Sequence, residues 1–295
     1  MRPASAIKPA PVSDARGGTT KPMRPASTIK PDAGVVRQLL LAAGQEQLPL
    51  RVVYLGGWSP GPELPGAFEY GGLIECREVR ASTICTILCS PPGLCVLACL
   101  VAVPAVVAAH GDVYGWGAAA ACVLAAVVLK WLAVRYVLTR DLARLQAVTS
   151  TWHPHVVLAF SWGGAVALLA AKRGVWRGPT VLLNPASQEL LGHARWSSAC
   201  TLMHFAVDAP ITLVQGLQDA IVAPEDTERL ARTGAGAGAA PGLISYLEYA
   251  DDHMMSEAAP PATVLSWIVG VLERRRNCGS TDEGLVAETL REIEC

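Results

Sequence analysis

His155-Val-Val-Leu-Ala-Phe-Ser161-Trp-Gly-Gly164 is the stretch on which the fold turns. The run after His155 is apolar and rich in β-branched residues, as in a strand buried on both faces. A serine with small residues on either side follows. The chain then reads as a helix over 163–173, stopped by Gly174. Strand, tight turn and helix in that order lift the serine hydroxyl above the edge of a sheet and aim the positive end of the helix at it.

Working outward, the same alternation repeats. Leu50-Arg-Val-Val-Tyr-Leu55, closed by Gly56-Gly57, and Leu73-Ile-Glu-Cys-Arg-Glu-Val79 read as strands after a helix at 35–43. Thr180-Val-Leu-Leu-Asn184, Ile211-Thr-Leu-Val-Gln215 and 243–249 are further strands. A helix at 224–232 has proline, glutamate and aspartate in its first turn. Such β-α-β alternation predicts an α/β fold with a mostly parallel central sheet and helices on both faces. The glycine- and alanine-rich segment 234–242 reads as a surface connection, and the C-terminal part as a helix over 264–276, a polar link and a short amphipathic helix over 284–293.

One region departs from this pattern. No charged side chain occurs from 81 to 109, and the part from 93 onward is almost wholly apolar. His110-Gly-Asp112 then leads into a second uncharged run, 113–129, extended through Trp131-Leu-Ala-Val134 if Lys130 snorkels. Core helices keep a polar face and these runs have almost none, so the reading is an apolar two-helix hairpin inserted into a bilayer. Arg77 and Arg80 before it and Lys130, Arg135 and Arg140 after it place both outer ends, and the core, on the cytoplasmic side. Pro91, Pro92 and Pro104 leave a re-entrant or interfacial arrangement open. From Thr139, read as an N-cap with Asp141 in the first turn, a separate soluble helix carries Leu142, Leu145 and Val148 on one face. The expected segments are therefore a tail at 1–33, core at 34–80, the hairpin at 81–138, core at 139–276 and a C-terminal tail at 277–295.

Composition agrees. Charged residues are 17% of the 295 and mean hydropathy is +0.34, more apolar than an ordinary soluble domain, which is about 25% charged. A formal net charge of −1 offers no basic field for a nucleic-acid backbone, so nucleic acid is set aside as a partner. The nine cysteines include no Cys-x-x-Cys pair and no Cys/His cluster with zinc spacing, which points to no metal site, no disulfide framework and a reducing compartment. Met1-Arg-Pro-Ala-Ser-Ala-Ile-Lys-Pro9 recurs as Met23-Arg-Pro-Ala-Ser-Thr-Ile-Lys-Pro31. So proline-rich a tail is expected to be disordered. It has no apolar core of a secretory signal, and its basic excess leaves an organelle transit peptide as the alternative.

Two more residues follow Ser161 in a telling order. Asp219 comes just after the strand at 211–215, and His253 just after the last strand. A serine hydroxyl needs a histidine to take its proton, and the histidine needs a carboxylate to hold its tautomer. Taken singly, Ser161 reads equally as a structural serine, Asp219 as a turn residue and His253 as a surface residue. Their chain order, serine then acid then histidine, favours chemistry. Asp251 and Asp252 are rival acids, but as sequence neighbours of the base they are poorly placed behind its ring.

Ala159-Phe-Ser161-Trp-Gly-Gly, Gly216-Leu-Gln-Asp219-Ala-Ile-Val-Ala-Pro224 and Asp252-His253 resemble the nucleophile, acid and histidine motifs of the α/β-hydrolase superfamily, over roughly 51–274 less the insert. Ala159 stands where that family usually has glycine. The resemblance implies a serine hydrolase with Ser161, Asp219 and His253 as its triad and the N–H of Trp162 as one oxyanion donor. It also implies a second donor from Leu55-Gly56-Gly57-Trp58, either Trp58 or Gly57, although Gly56 replaces the family's usual histidine. With only 185–210 between two strands there is little room for a cap. The expected function is a membrane-tethered esterase or thioesterase with no cofactor, acting on a small-molecule, lipid or acylated substrate. The alternative is a non-catalytic membrane scaffold or binding module on the same fold, for which the altered oxyanion loop and the missing early strands speak.

Overall fold

Runs of Val, Leu and Ile too short and too apolar for helices form the centre of the molecule. In the computed structural model, residues 33–46, 48–57, 72–79, 94, 95, 98, 101, 102, 105, 113–186, 209–236, 242–255 and 259–293 are described. Among them are β1 (Leu50–Leu55), β2 (Ile74–Val79), β3 (Val156–Phe160), β4 (Thr180–Leu183), β5 (Ile211–Gly216) and β6 (Ile244–Tyr249). All pair in parallel in one sheet of order β2-β1-β3-β4-β5-β6. The elbow strand β3 lies next to the middle of that order. Strand order reverses at β1, where the chain crosses from β2 over to β3.

Side chains alternate between two cores, as parallel strands covered on both faces require. Val53, Leu55, Val157, Ala159, Leu182 and Leu213 face α2 (Val113–Trp152), α3 (Trp162–Lys172) and α4 (Pro224–Gly236). Val52, Tyr54, Val156, Leu158, Phe160, Val181 and Val214 face α1 (Ala33–Ala42) and α5 (Pro261–Ile293). The expected α/β architecture with helices on both faces is present.

Three expectations are corrected. The second apolar run and the helix expected to start at Thr139 are one uninterrupted helix of 40 residues, α2. No proline or glycine breaks the chain from 118 to 152. Thr139 does not cap a start: its Oγ1 donates back to the Arg135 carbonyl at 2.8 Å inside the helix. Asp141 is accordingly mid-helix and buried, not in a first turn. α5 likewise runs through the expected polar link at 277–283, since a single Gly279 costs a helix only about 1 kcal/mol. α4 extends into the glycine-rich segment as far as Gly236.

The later part of α2 lies on the sheet through Val134, Val137, Leu138, Leu142 and Leu145, and Arg77 of β2 stacks 4.6 Å over the Trp152 ring near its end. Its earlier part is different: Val123, Leu124, Val127, Val128 and Leu132 are all exposed. Within it, Ala120–Trp152 is, among the described residues, the one helix long and apolar enough to cross a membrane by length and composition. A helical hairpin is not seen, because most of the first apolar run lies outside the described residues, as do the expected tail and Trp58.

Candidate active site

Every parallel strand ends at the same edge of the sheet, so loops that follow different strands meet there. Ser161 directly follows β3, in a backbone conformation (φ 52°, ψ −114°) that non-glycine residues rarely adopt. The turn is held by the Ser161 N–H donating to the Leu183 carbonyl at 2.9 Å, while the Ser161 carbonyl accepts from Gly164 and Ala186 at 3.0 and 3.1 Å. Gly163 is obligatory here: a Cβ on it would lie 2.3 Å from the Leu55 carbonyl oxygen, because the first turn of α3 presses against the end of β1.

The three residues that the sequence singled out converge. Ser161 Oγ lies 3.0 Å from His253 Nε2, and His253 Nδ1 lies 2.7 Å from Asp219 Oδ2. An ionised Asp219 only accepts, so Nδ1 carries the ring proton and Nε2 accepts from the serine hydroxyl. All three residues are buried. Phe160 packs against the imidazole, with ring centroids 5.1 Å apart.

The second carboxylate oxygen of Asp219 accepts from the Ile221 and Val222 N–H groups, at 2.7 and 2.8 Å. Burial alone raises the Asp219 pKa, but the hydrogen bonds from His253 and from these two amides outweigh it and hold the carboxyl below its ordinary range. Gln215 braces the same loop from beneath. Its Nε2 donates to the Gly216 and Val222 carbonyls at 3.0 and 3.2 Å, and its Oε1 accepts from Thr227 at 2.6 Å.

The rival acids serve their own loop: Asp251 Oδ1 accepts from the Asp252 N–H and Asp252 Oδ1 from the Met254 N–H, both at 2.8 Å. Gly57 lies against the nucleophile, since a Cβ there would come within 3.1 Å of Ser161 Cβ. Trp162 is the first residue of α3 and is fully buried. Trp58 falls outside the described residues.

No protein-family model matches the chain, and no curated protein sequence matches it. Among solved structures it is similar to TT1662 from Thermus thermophilus, at 15% identity over 77% of this chain and 91% of that one, with a TM-score of 0.43. It is also similar to a monoacylglycerol lipase of Paleococcus ferrophilus, at 13% identity over 47% and 76% of the two chains and a TM-score of 0.37. A third is carboxyl esterase 2 of the fungus Tuber melanosporum, at 12% identity over 78% and 79%, with a TM-score of 0.38.

Asn184 is the site residue that sequence reading passed over. It directly follows β4 at φ 43°, a left-handed conformation that asparagine tolerates better than most residues, and it is fully buried. Its Nδ2 donates to the carbonyls of Asp252 and His253 at 3.2 and 2.9 Å, and its Oδ1 accepts from the Gly216 N–H at 2.7 Å. One side chain thus clamps the histidine loop to the strand that leads to Asp219. Gly216 allows the approach, since a Cβ on it would lie 2.6 Å from both the Asp251 and Asp252 carbonyl oxygens.

Asn184→Asp sets a second acceptor against two carbonyls and buries a charge. It is expected to cost about 2 kcal/mol or more in thermal unfolding and to slow turnover. An unchanged melting temperature would remove the clamp from this account.

Proposed function

We propose that the chain is a serine hydrolase that cleaves a carboxylic ester or thioester through an acyl-enzyme. The observation that carries this reading is the unbroken relay from Asp219 Oδ2 through both ring nitrogens of His253 to the oxygen of a serine strained at a strand-helix turn. Ser161 Oγ attacks the substrate carbonyl carbon as His253 Nε2 takes its proton. The carbonyl oxygen gains the negative charge and is stabilised by the Trp162 N–H at the start of α3, with Gly57 or Trp58 as the second donor. Asp219 stabilises the imidazolium that forms. The carbon-to-leaving-group bond then breaks and Nε2 passes its proton to the departing oxygen or sulfur. Water, deprotonated by the same nitrogen, releases the acid and restores Ser161.

We also assign the exposed apolar face of α2 to a lipid surface, with the core on the cytoplasmic side. Val123, Leu124, Val127, Val128 and Leu132 form that face, and the exposed Lys130, Arg135 and Arg140 suit anionic headgroups. No acid occurs from 113 to 140 to oppose them. A core held near a bilayer favours a lipophilic ester or an acylated protein as substrate.

One experiment with two readouts tests both assignments. Detergent-extracted protein is treated with a fluorescent fluorophosphonate, mixed with vesicles containing phosphatidylserine and floated. Wild type is expected to be labelled and to float, and folded Ser161→Ala to float unlabelled. Folded wild type without label removes the hydrolase reading and leaves a binding module. Labelled protein that stays at the bottom removes the lipid assignment alone.

A further inference from the structure

The residue that offers its backbone N–H to the oxyanion is also held by its side chain from another element. Trp162 Nε1–H donates to Asp141 Oδ2 at 2.9 Å, a buried bond between α3 and α2. Asp141 is 2% exposed, and its other oxygen accepts from Arg144 at 3.2 Å. The indole sits in the same core as Val137, Leu138, Leu142 and Leu145.

An apolar residue would fill the place of Asp141 on the inner face of α2 without the desolvation that a carboxylate brings. Asp141 is also the one acid from 113 to 152. What a carboxylate adds there is direction. A ring fixed by packing alone can rock about its χ angles, whereas a ring fixed at its Nε1 as well has one setting. The setting of the side chain constrains the Cα that carries the amide, at the first position of a helix whose start is already under strain.

We propose that Asp141 is a positioning residue for the oxyanion donor: by holding the Trp162 indole from α2, it fixes where the Trp162 amide N–H points. This rests on the serine-hydrolase reading and adds to it a dependence of turnover on the seating of α2. The apolar face assigned to lipid lies upstream on the same unbroken helix. Val123 is about 27 Å from Asp141 along the axis at 1.5 Å per residue. A displacement of α2 at that face reaches the oxyanion site through one hydrogen bond.

The experiment separates positioning from mere stability. Asp141→Leu alone strands a buried N–H and is expected to destabilise, so it decides nothing about catalysis. The double variant Asp141→Leu/Trp162→Phe removes donor and acceptor together and strands no polar group, although the smaller ring leaves a void at a fully buried position and lowers the melting temperature. Measured on p-nitrophenyl butyrate at a temperature where wild type and variant are both folded, the double variant is expected to keep its KM while kcat falls about 10- to 100-fold. That is part of the about 100- to 1,000-fold that a lost oxyanion donor costs. Asp141→Asn keeps an oxygen that accepts from Nε1 and is expected to stay within about threefold of wild type.

A double variant with wild-type kcat, or Asp141→Asn as slow as the double variant, overturns the proposal while the hydrolase reading stands. Wild type that neither turns over the ester nor reacts with the fluorophosphonate overturns both.

Discussion

His253→Ala is expected to reduce turnover of an activated ester by on the order of 10⁵- to 10⁶-fold, and, because it strands the buried Asp219 Oδ2, to cost about 1–3 kcal/mol in stability without unfolding the chain. Among the described residues the imidazole is the one group within hydrogen-bond distance of Ser161 Oγ, at 3.0 Å, so its loss removes the base from the hydroxyl. The variant still has the helix start at Trp162 and the elbow strain at Ser161. Catalysis of about 10³- to 10⁴-fold over water is therefore expected to remain if the oxyanion donors act independently of the relay. Comparison of kcat for folded wild type and variant on p-nitrophenyl butyrate decides it. Retention of more than about 1% of wild-type kcat takes the general-base role away from His253.

Asp219→Asn is expected to cost about 10⁴-fold in kcat. The amide is near in shape to the carboxylate, but its NH₂ group facing Nδ1 favours the tautomer that carries the proton on Nε2, where it cannot receive the serine proton. A second readout follows from charge. The folded pKa of Asp219 lies below its unfolded value, so its contribution to stability is fully present above about pH 4 and is lost as pH falls through that lower value. The asparagine variant lacks this step, and its stability is expected to decline less than that of wild type from about pH 4 downward. Parallel acid limbs in pH-dependent denaturation would show that the carboxylate gains nothing from folding.

Strands and elbow were legible because their signals are local. Val156-Val-Leu-Ala-Phe160 is a short unbroken apolar run ending at a turn serine, as a buried strand requires, and the expected bounds of β1 agree with the structure to the residue. The order Ser161, Asp219, His253 was legible because loops that follow parallel strands share one edge whatever lies between them. Two other residues bind across the fold through contacts with no local signature. Asn184 reaches residues 32, 68 and 69 positions away, and its one sequence signal is an amide at the end of an apolar strand.

Asp141 lies mid-helix and not in a first turn, although Thr139 followed by Asp141 carries the local pattern of a helix start. A threonine can also return its hydroxyl to the preceding turn, and in α2 it does. At Cys76, which no local pattern singles out, burial, with Glu78 adding to it, pushes the thiol up to about 12.

The clamp at Asn184 also bears on how the site comes apart. Besides the three bonds of that side chain, the Leu217 N–H donates to the Tyr249 carbonyl at 2.8 Å and the Gln218 N–H to the Asp251 carbonyl at 2.9 Å. The Ser161 N–H is bound to Leu183, the neighbour of Asn184. The loops that carry nucleophile, acid and base are therefore stitched to one another, and none can swing out while the others keep their bonds. In the language of amide exchange they are expected to behave as one foldon, with the Gly216, Leu217 and Gln218 N–H groups sharing one protection factor. A protease is therefore expected to cut the histidine loop only after its bonds to the acid loop have parted, so that both loops become cleavable together in limited proteolysis.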